Sequence, residues 1–322
     1  MSFREPVVDA TLPDGSRLNI VFGSDISRRG SNFTIRKFTP TPLSILDLVG
    51  YGTLSYEIAS YLSLVIGEGL NVFVAGETAS GKTALLNAVT TFIQPTHKVI
   101  SIEDTPELQI PNPNWIREVV RGGSLNNQES TVSIFTLLKA ALRQRPNQIL
   151  IGEIRGEEGN IAFQAMQTGH ASMATFHAAS VEKLIQRLTG HPINVPKAYV
   201  DNLNVVVIMS AMRLPNGRQG RRVISVNEIL GYDTANGTFS FLEVFRWDAE
   251  KDRFEFVGDQ SSHILENMVS LRRGISPNDR HLVYAELRRR ANILGSLHQQ
   301  GITNFYELYR VLSQAYFEGI FR

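Results

Sequence analysis

The sequence predicts an α/β fold, a mostly parallel sheet covered by helices, and three observations predict it. Between Ser44 and about Arg213, strand-like and helix-like runs alternate. The strand-like runs are apolar on both faces, as strands covered on two sides must be. One strand–helix junction carries Gly76-Glu77-Thr78-Ala79-Ser80-Gly81-Lys82-Thr83, which fits G-x-x-x-x-G-K-[ST].

Taken in order, the first forty residues read as β-rich. Val7–Leu12 and Arg17–Phe22 flank the turn signal Pro13-Asp14-Gly15, and Phe33–Phe38 alternates like a third strand. So small a sheet buries too little surface to stand alone, so residues 1–40 are expected to be the end of a larger N-terminal domain. Pro40 and Pro42 mark a linker. In the segment 41–260, Ser55 caps a helix bearing Ile58, Tyr61, Leu62 and Val65. Strands are predicted at 71–75, 98–102, 149–151, 173–176 and 204–209, with helices at 82–92, 133–143, 157–168 and 180–188 between them. After Pro215-Asn216-Gly217 the runs 222–229, 238–245 and 253–257 read as antiparallel strands, and from His263 the pattern is helical, giving a C-terminal region over 261–322.

Composition excludes several function classes. The chain has 322 residues, 43% hydrophobic and 20% charged, and a net charge of +1 from 32 basic and 31 acidic residues. That charge gives no global field favouring nucleic acid or an anionic membrane. With no cysteine there can be no disulfide, thiolate zinc site or thiol nucleophile. The apolar stretch Tyr61–Ile66 ends at Gly67-Glu68, too short for a transmembrane segment, and residues 1–6 lack the apolar part of a signal peptide. A cytoplasmic location is the expectation.

The chemistry lies in four segments. In the P-loop, glycines let the amide N–H groups turn around a phosphate while the following helix N-terminus adds positive dipole. Lys82 would reach the β- and γ-phosphates of ATP, and the Thr83 hydroxyl would ligate Mg²⁺. Ile149–Glu153 is an apolar strand ending in a carboxylate, the layout of a Walker B acid facing that ion. Between them Glu103, Asp104 and Glu107 follow a strand. They could supply a base or water-positioning acid, and from charge pattern alone they read equally as a solvated acidic loop. Last come Gly169-His170 and Thr175-Phe176-His177, where an imidazole at a strand end either senses the γ-phosphate or simply packs.

In this order the segments resemble the secretion ATPase superfamily of type II/IV secretion and type IV pilus motors, with its Walker A, Asp box, Walker B and His box. Asp104 within 102–108 resembles the Asp box, Leu142–Pro146 the approach to Walker B, and Thr175–Ala178 the His box. The flanks Leu12–Arg17 and Phe33–Phe38 also resemble the family, so the likeness runs from about Asp9 to Arg213. Arg222–Glu228 and the helical C-terminus look closest to archaeal members, the archaellum motor and archaeal pilus ATPases.

The resemblance implies a RecA-like core, Mg²⁺-dependent ATP hydrolysis and a homo-oligomeric, usually hexameric, ring. It also implies peripheral attachment to the cytoplasmic membrane through an inner-membrane platform protein. Carried over by position, Glu107 is the general base with Glu103 nearby, Glu153 the Walker B acid, and His177, with His170 behind it, part of the sensing network. Arg36 matches a nucleotide-contacting position at the domain junction. Arg143, and more weakly Lys139, match residues acting across a subunit boundary. Two rival readings are a RecA-like nucleic-acid translocase, disfavoured by the neutral charge and absent aromatic-basic stretch, and a nucleotide-dependent scaffold with little turnover.

Overall fold

A computed structural model describes residues 6–121, 131–215 and 217–321; residues 1–5 and Asn216 of the expected turn lie outside them. The chain divides into two compact units, one ending at Pro42 and the other beginning at Leu43.

The first unit is an antiparallel meander of β1 (Val7–Thr11), β2 (Arg17–Val21) and β3 (Asn32–Arg36). Asp14 shapes its first turn by accepting from the Ser16 amide and hydroxyl, each at 2.9 Å.

In the second unit, Ser44 and Asp47 form a reciprocal capping box that starts α1 (Ile45–Gly50), a short helix the sequence pattern does not reveal. Ser55 caps α2 (Tyr56–Gly67) through the Ile58 amide. The fully buried β4 (Val72–Gly76) leads into α3 (Lys82–Val89). Then follow β5 (Val99–Glu103), β6 (Trp115–Val119), α4 (Ile134–Leu142), β7 (Gln148–Ile154), α5 (Glu158–Gln167), β8 (Ala171–Phe176) and α6 (Val181–Thr189). A long antiparallel run comes next: β9 (Val205–Arg213), β10 (Gln219–Asp233), β11 (Thr238–Asp248) and β12 (Arg253–Phe256). A π-turn at Leu265–Val269 continues into α7 (Ser270–Arg272), and α8 (Leu282–Gln299) and α9 (Phe305–Phe317) complete the chain.

The nine strands form one sheet in the order β12-β11-β10-β9-β4-β8-β7-β5-β6. The six strands from β9 to β6 are mutually parallel, and β10, β11 and β12 extend the sheet antiparallel. The strand period of two divides β4 between two cores. Val72 and Val74 face the cluster formed with α1, α2, α3 and the C-terminal helices. Phe73 and Ala75 face the cluster formed with α4, α5 and α6. The result is the expected helix–sheet–helix sandwich. Among the described residues no helix is long and apolar enough to cross a membrane.

Candidate functional site

Parallel strands put all their C-terminal ends on one edge, where ligands of open α/β sheets bind. Here β4, β8 and β7 are neighbours, so the P-loop after β4, His177 after β8 and Glu153 near the end of β7 meet there.

The P-loop geometry needs its glycines. A Cβ on Gly76 would lie 2.3 Å from the Met209 carbonyl oxygen and 2.6 Å from Ser80 Oγ, a clash with fixed backbone. Gly81 caps α3 in a left-handed conformation (φ +96°), which costs glycine nothing. Ser80 is buried and its hydroxyl donates to the Glu77 carbonyl at 2.8 Å, while Glu77, Thr78 and Ala79 are exposed. Lys82 is buried and its ammonium donates to the Gly76 and Glu77 carbonyls at 3.0 and 2.7 Å. Burial lowers its pKa, against the pull of Glu153. Thr83 follows at the second position of α3, half-buried. An open cavity of about 510 Å³ is lined by Glu77, Thr78, His177, Ala178 and Ala179.

Four ionisable groups run on from Lys82. His177 Nδ1 lies 3.5 Å from Lys82 Nζ, and Nε2 lies 2.9 Å from Glu153 Oε1. The other Glu153 oxygen accepts from Arg155, which also reaches Asp104 at 3.3 Å. Glu153 is thereby tied to the acidic loop after β5.

The acidic loop is not simply solvated. Glu103 is buried, and its Oε1 accepts from the amides of Glu107 and Leu108 at 2.7 and 2.8 Å; Arg117 pairs with the other oxygen at 3.4 Å. Burial raises the Glu103 pKa, and those two amides and Arg117 oppose the rise. From the opposite side Asn87 of α3 donates to the Glu107 carbonyl at 3.2 Å and accepts from the Gln109 amide at 2.8 Å. Glu107 is therefore held on a loop anchored to β5 and to the P-loop helix at once, with its side chain half-exposed.

Other expected residues lie elsewhere. His170 precedes β8, and its Nδ1 is 3.0 Å from Thr168 Oγ1; the whole of β8, about 20 Å of strand, separates it from His177's edge. Arg143 caps the C-terminal end of α4 just before β7 begins, so it too is exposed on the edge opposite the P-loop of its own chain. Lys139, one turn earlier, stacks over the Phe135 ring at 4.1 Å. Arg36 ends β3 in the N-terminal unit. Asn87, Arg117 and Arg155 escape sequence reasoning, because each acts on a partner from another strand or loop.

These residues fit a triphosphate. The loop packs this closely against Met209 and Arg221 because positions 76 and 81 lack a Cβ, and within its eight residues Lys82 is the one basic side chain. Among the described residues no cluster of three or more His, Asp and Glu side chains forms a metal cage. Mg²⁺ bound with a nucleotide takes most of its ligands from phosphate and water, so a single hydroxyl and a carboxylate, such as Thr83 and Glu153, would suffice to hold it.

Comparison with known proteins gives consistent relatives. Residues 1–214 match the model of the family "Type II/IV secretion system protein". An uncharacterized protein of Methanocaldococcus jannaschii is 46% identical over 321 residues, 99% of this chain and 57% of that protein. This chain thus spans little more than half the length of that relative. The type IV secretion system protein PtlH of Bordetella pertussis is 32% identical over 253 residues, 69% of this chain and 74% of PtlH. Among solved structures, the Legionella pneumophila ATPase DotB superposes with a TM-score of 0.51 at 17% identity, covering 95% of this chain and 77% of DotB. At that identity the likeness speaks for the fold, a RecA-like α/β core with an N-terminal domain and a helical C-terminal region.

Proposed function

The chain belongs to the type II/IV secretion system protein family, and from that premise we propose that it is an ATP-hydrolysing motor subunit of a secretion or pilus-type machine. The observation that carries this reading is the convergence of Lys82, His177 and Glu153 at the ends of three adjacent parallel strands.

On binding, the phosphate chain of ATP replaces the Gly76 and Glu77 carbonyls as the partner of Lys82. The loop amides and the α3 N-terminus neutralise phosphate charge. Mg²⁺ held by Thr83 and Glu153 would offset charge on the phosphate oxygens. Glu107 accepts a proton from, or orients, the attacking water, and Glu103 and Asn87 fix the loop that carries it. His177 reports the state of the site by exchanging its contact with Lys82. Arg143 serves the site of a neighbouring subunit, and Arg36 is a nucleotide-binding residue, as the family resemblance implies. The active form is a homo-oligomer, a hexameric ring of the kind its family resemblance implies. The ring is cytoplasmic, held at the membrane by a platform protein, and drives pilin-like subunits.

Steady-state phosphate release with MgATP, together with light scattering, tests this. Wild type should assemble and hydrolyse ATP, Lys82→Ala should lose nucleotide binding, and Glu107→Gln should bind but turn over at least about 100-fold more slowly. Wild type that binds ATP and never hydrolyses it in any assembly state would overturn the motor reading. Salt-sensitive stimulation by DNA would favour a translocase instead.

A further inference from the structure

Arg221 and Arg222 are consecutive on β10, so their side chains leave on opposite faces. Arg222 is buried. Its Nε and an Nη meet the two Asp252 oxygens at 2.7 and 2.8 Å, and it donates to the Tyr51 carbonyl at 3.1 Å. Trp247 donates to the same Asp252 at 2.9 Å, so the backbone at this point is anchored from three directions. The anchor directs Arg221 the other way, over the P-loop. Its Nε donates to the Ala79 carbonyl at 2.9 Å, and its Cδ lies 3.0 Å from where a Gly81 Cβ would be.

Ala79 is a non-glycine residue in the left-handed region, φ +62°. Such a conformation persists only where surroundings impose it. The Ala79 carbonyl is turned towards Arg221, while the next amide, that of Ser80, donates back to the Glu77 carbonyl at 3.3 Å, so the two bonds fix the loop on either side of the strained residue. The Nε–H is one of five guanidinium donors. Among the described residues the other four have no protein partner, and the side chain is exposed beside the N-terminus of α3.

We propose that Arg221 is a positioning residue that holds the phosphate-binding loop in its receptive shape, and that its remaining donors grip the nucleotide's phosphate chain from the β10 side. The second half rests on the nucleotide reading above; the first does not. A planar guanidinium can meet two phosphate oxygens at once, and a lysine cannot reproduce this.

The test uses the full chain with Arg221→Gln and Arg221→Lys. Hydrogen–deuterium exchange at amides 77–81 without nucleotide should quicken several-fold in both variants. Binding of a fluorescently labelled ADP should weaken about tenfold in Arg221→Gln, with a flatter salt dependence, and less in Arg221→Lys. Unchanged exchange in both variants overturns the positioning role. Unchanged ADP affinity alongside Lys82-dependent binding overturns the phosphate contact. If wild type binds ADP no better than Lys82→Ala, the nucleotide reading itself fails, and the exchange data still decide the loop role. Melting temperatures equal to wild type are expected, because the side chain is exposed; a large drop assigns it to the fold and overturns the proposal.

Discussion

His177 lies between two functional groups of opposite charge: its Nε2 is 2.9 Å from a Glu153 oxygen and its Nδ1 is 3.5 Å from the Lys82 ammonium. Only one tautomer suits both neighbours. Nε2–H donates to the carboxylate and the Nδ1 lone pair faces the ammonium, so the ring is neutral. Burial, then Lys82, lowers its pKa below the ordinary histidine value, with Glu153 opposing and Arg155 and Arg187 adding to the fall.

The depressed pKa fixes the sign of a pH effect. Below about pH 6.5 the unfolded chain binds a proton that the folded chain resists, so stability falls as pH drops through that value. The melting temperature of wild type should therefore decline more steeply from pH 7.5 to 5 than that of His177→Gln, which keeps a donor for Glu153. Burial raises the pKa of Glu103 and Glu228, which works in the opposite direction, and their effects cancel in the comparison between the two proteins. Parallel curves would mean that His177 is not the neutral bridge described.

The loop carrying Glu107 predicts a division between binding and turnover. Asn87→Ala removes both the donor to the Glu107 carbonyl and the acceptor for the Gln109 amide. Glu103→Gln weakens the acceptor of two loop amides. Each variant should reduce kcat by about tenfold or more with little change in KM, because displacing Glu107 from its proposed role as base would harm the transition state and not ground-state binding. A rise in KM at constant kcat would instead assign the loop to nucleotide binding.

Far from the P-loop, Glu228 is fully buried and gathers three donors: the Tyr61 hydroxyl at 2.7 Å, the Ser262 hydroxyl at 2.5 Å and the Ile264 amide at 3.0 Å. It joins α2, β10 and the start of the C-terminal helices in one polar knot. Glu228→Ala would leave those donors unsatisfied and should cost about 3 kcal/mol. Glu228→Gln keeps a carbonyl acceptor and should cost roughly 1 kcal/mol. Denaturant melts of the two variants measure the gap, and equal losses would show that the knot needs both carboxylate oxygens as acceptors, and that neither the side-chain volume nor a single carbonyl replaces them.

How much of this was legible in the sequence follows from how local each signal is. The P-loop is eight contiguous residues, and Glu153 is marked by its apolar strand, so both can be read directly. The alternation of elements also gives the sandwich. What it cannot give is strand order: β9 lies beside β4 although more than a hundred residues intervene, because its run of valines and isoleucine fits any central position. β6 goes unread because it is a half-exposed edge strand preceded by Pro111 and Pro113. Arg155 reaches Asp104 across 51 positions and Arg221 reaches Ala79 across 142. A side chain whose partner is chosen by tertiary folding leaves no periodic trace.

Arg143 supplies the last prediction, because its location separates action within a chain from action between chains. It caps α4 just before β7 begins, on the edge opposite the P-loop, and β7 itself spans about 20 Å. No side-chain rotation closes that distance, so a catalytic Arg143 must serve a neighbour. Mixing inactive Arg143→Ala subunits with inactive Lys82→Ala subunits then becomes informative. A site works when its own subunit keeps Lys82 and the adjoining one keeps Arg143. Random equal mixing around a head-to-tail ring makes about a quarter of the sites meet both conditions. ATPase activity should rise from near zero to about that fraction of wild type as the two proteins exchange subunits. If Arg143 acted within its own chain, every subunit would carry a defect in its own site and mixing would restore nothing. If Arg143→Ala alone is fully active, the residue has no catalytic part, and the exposed cap of α4 is all that it forms.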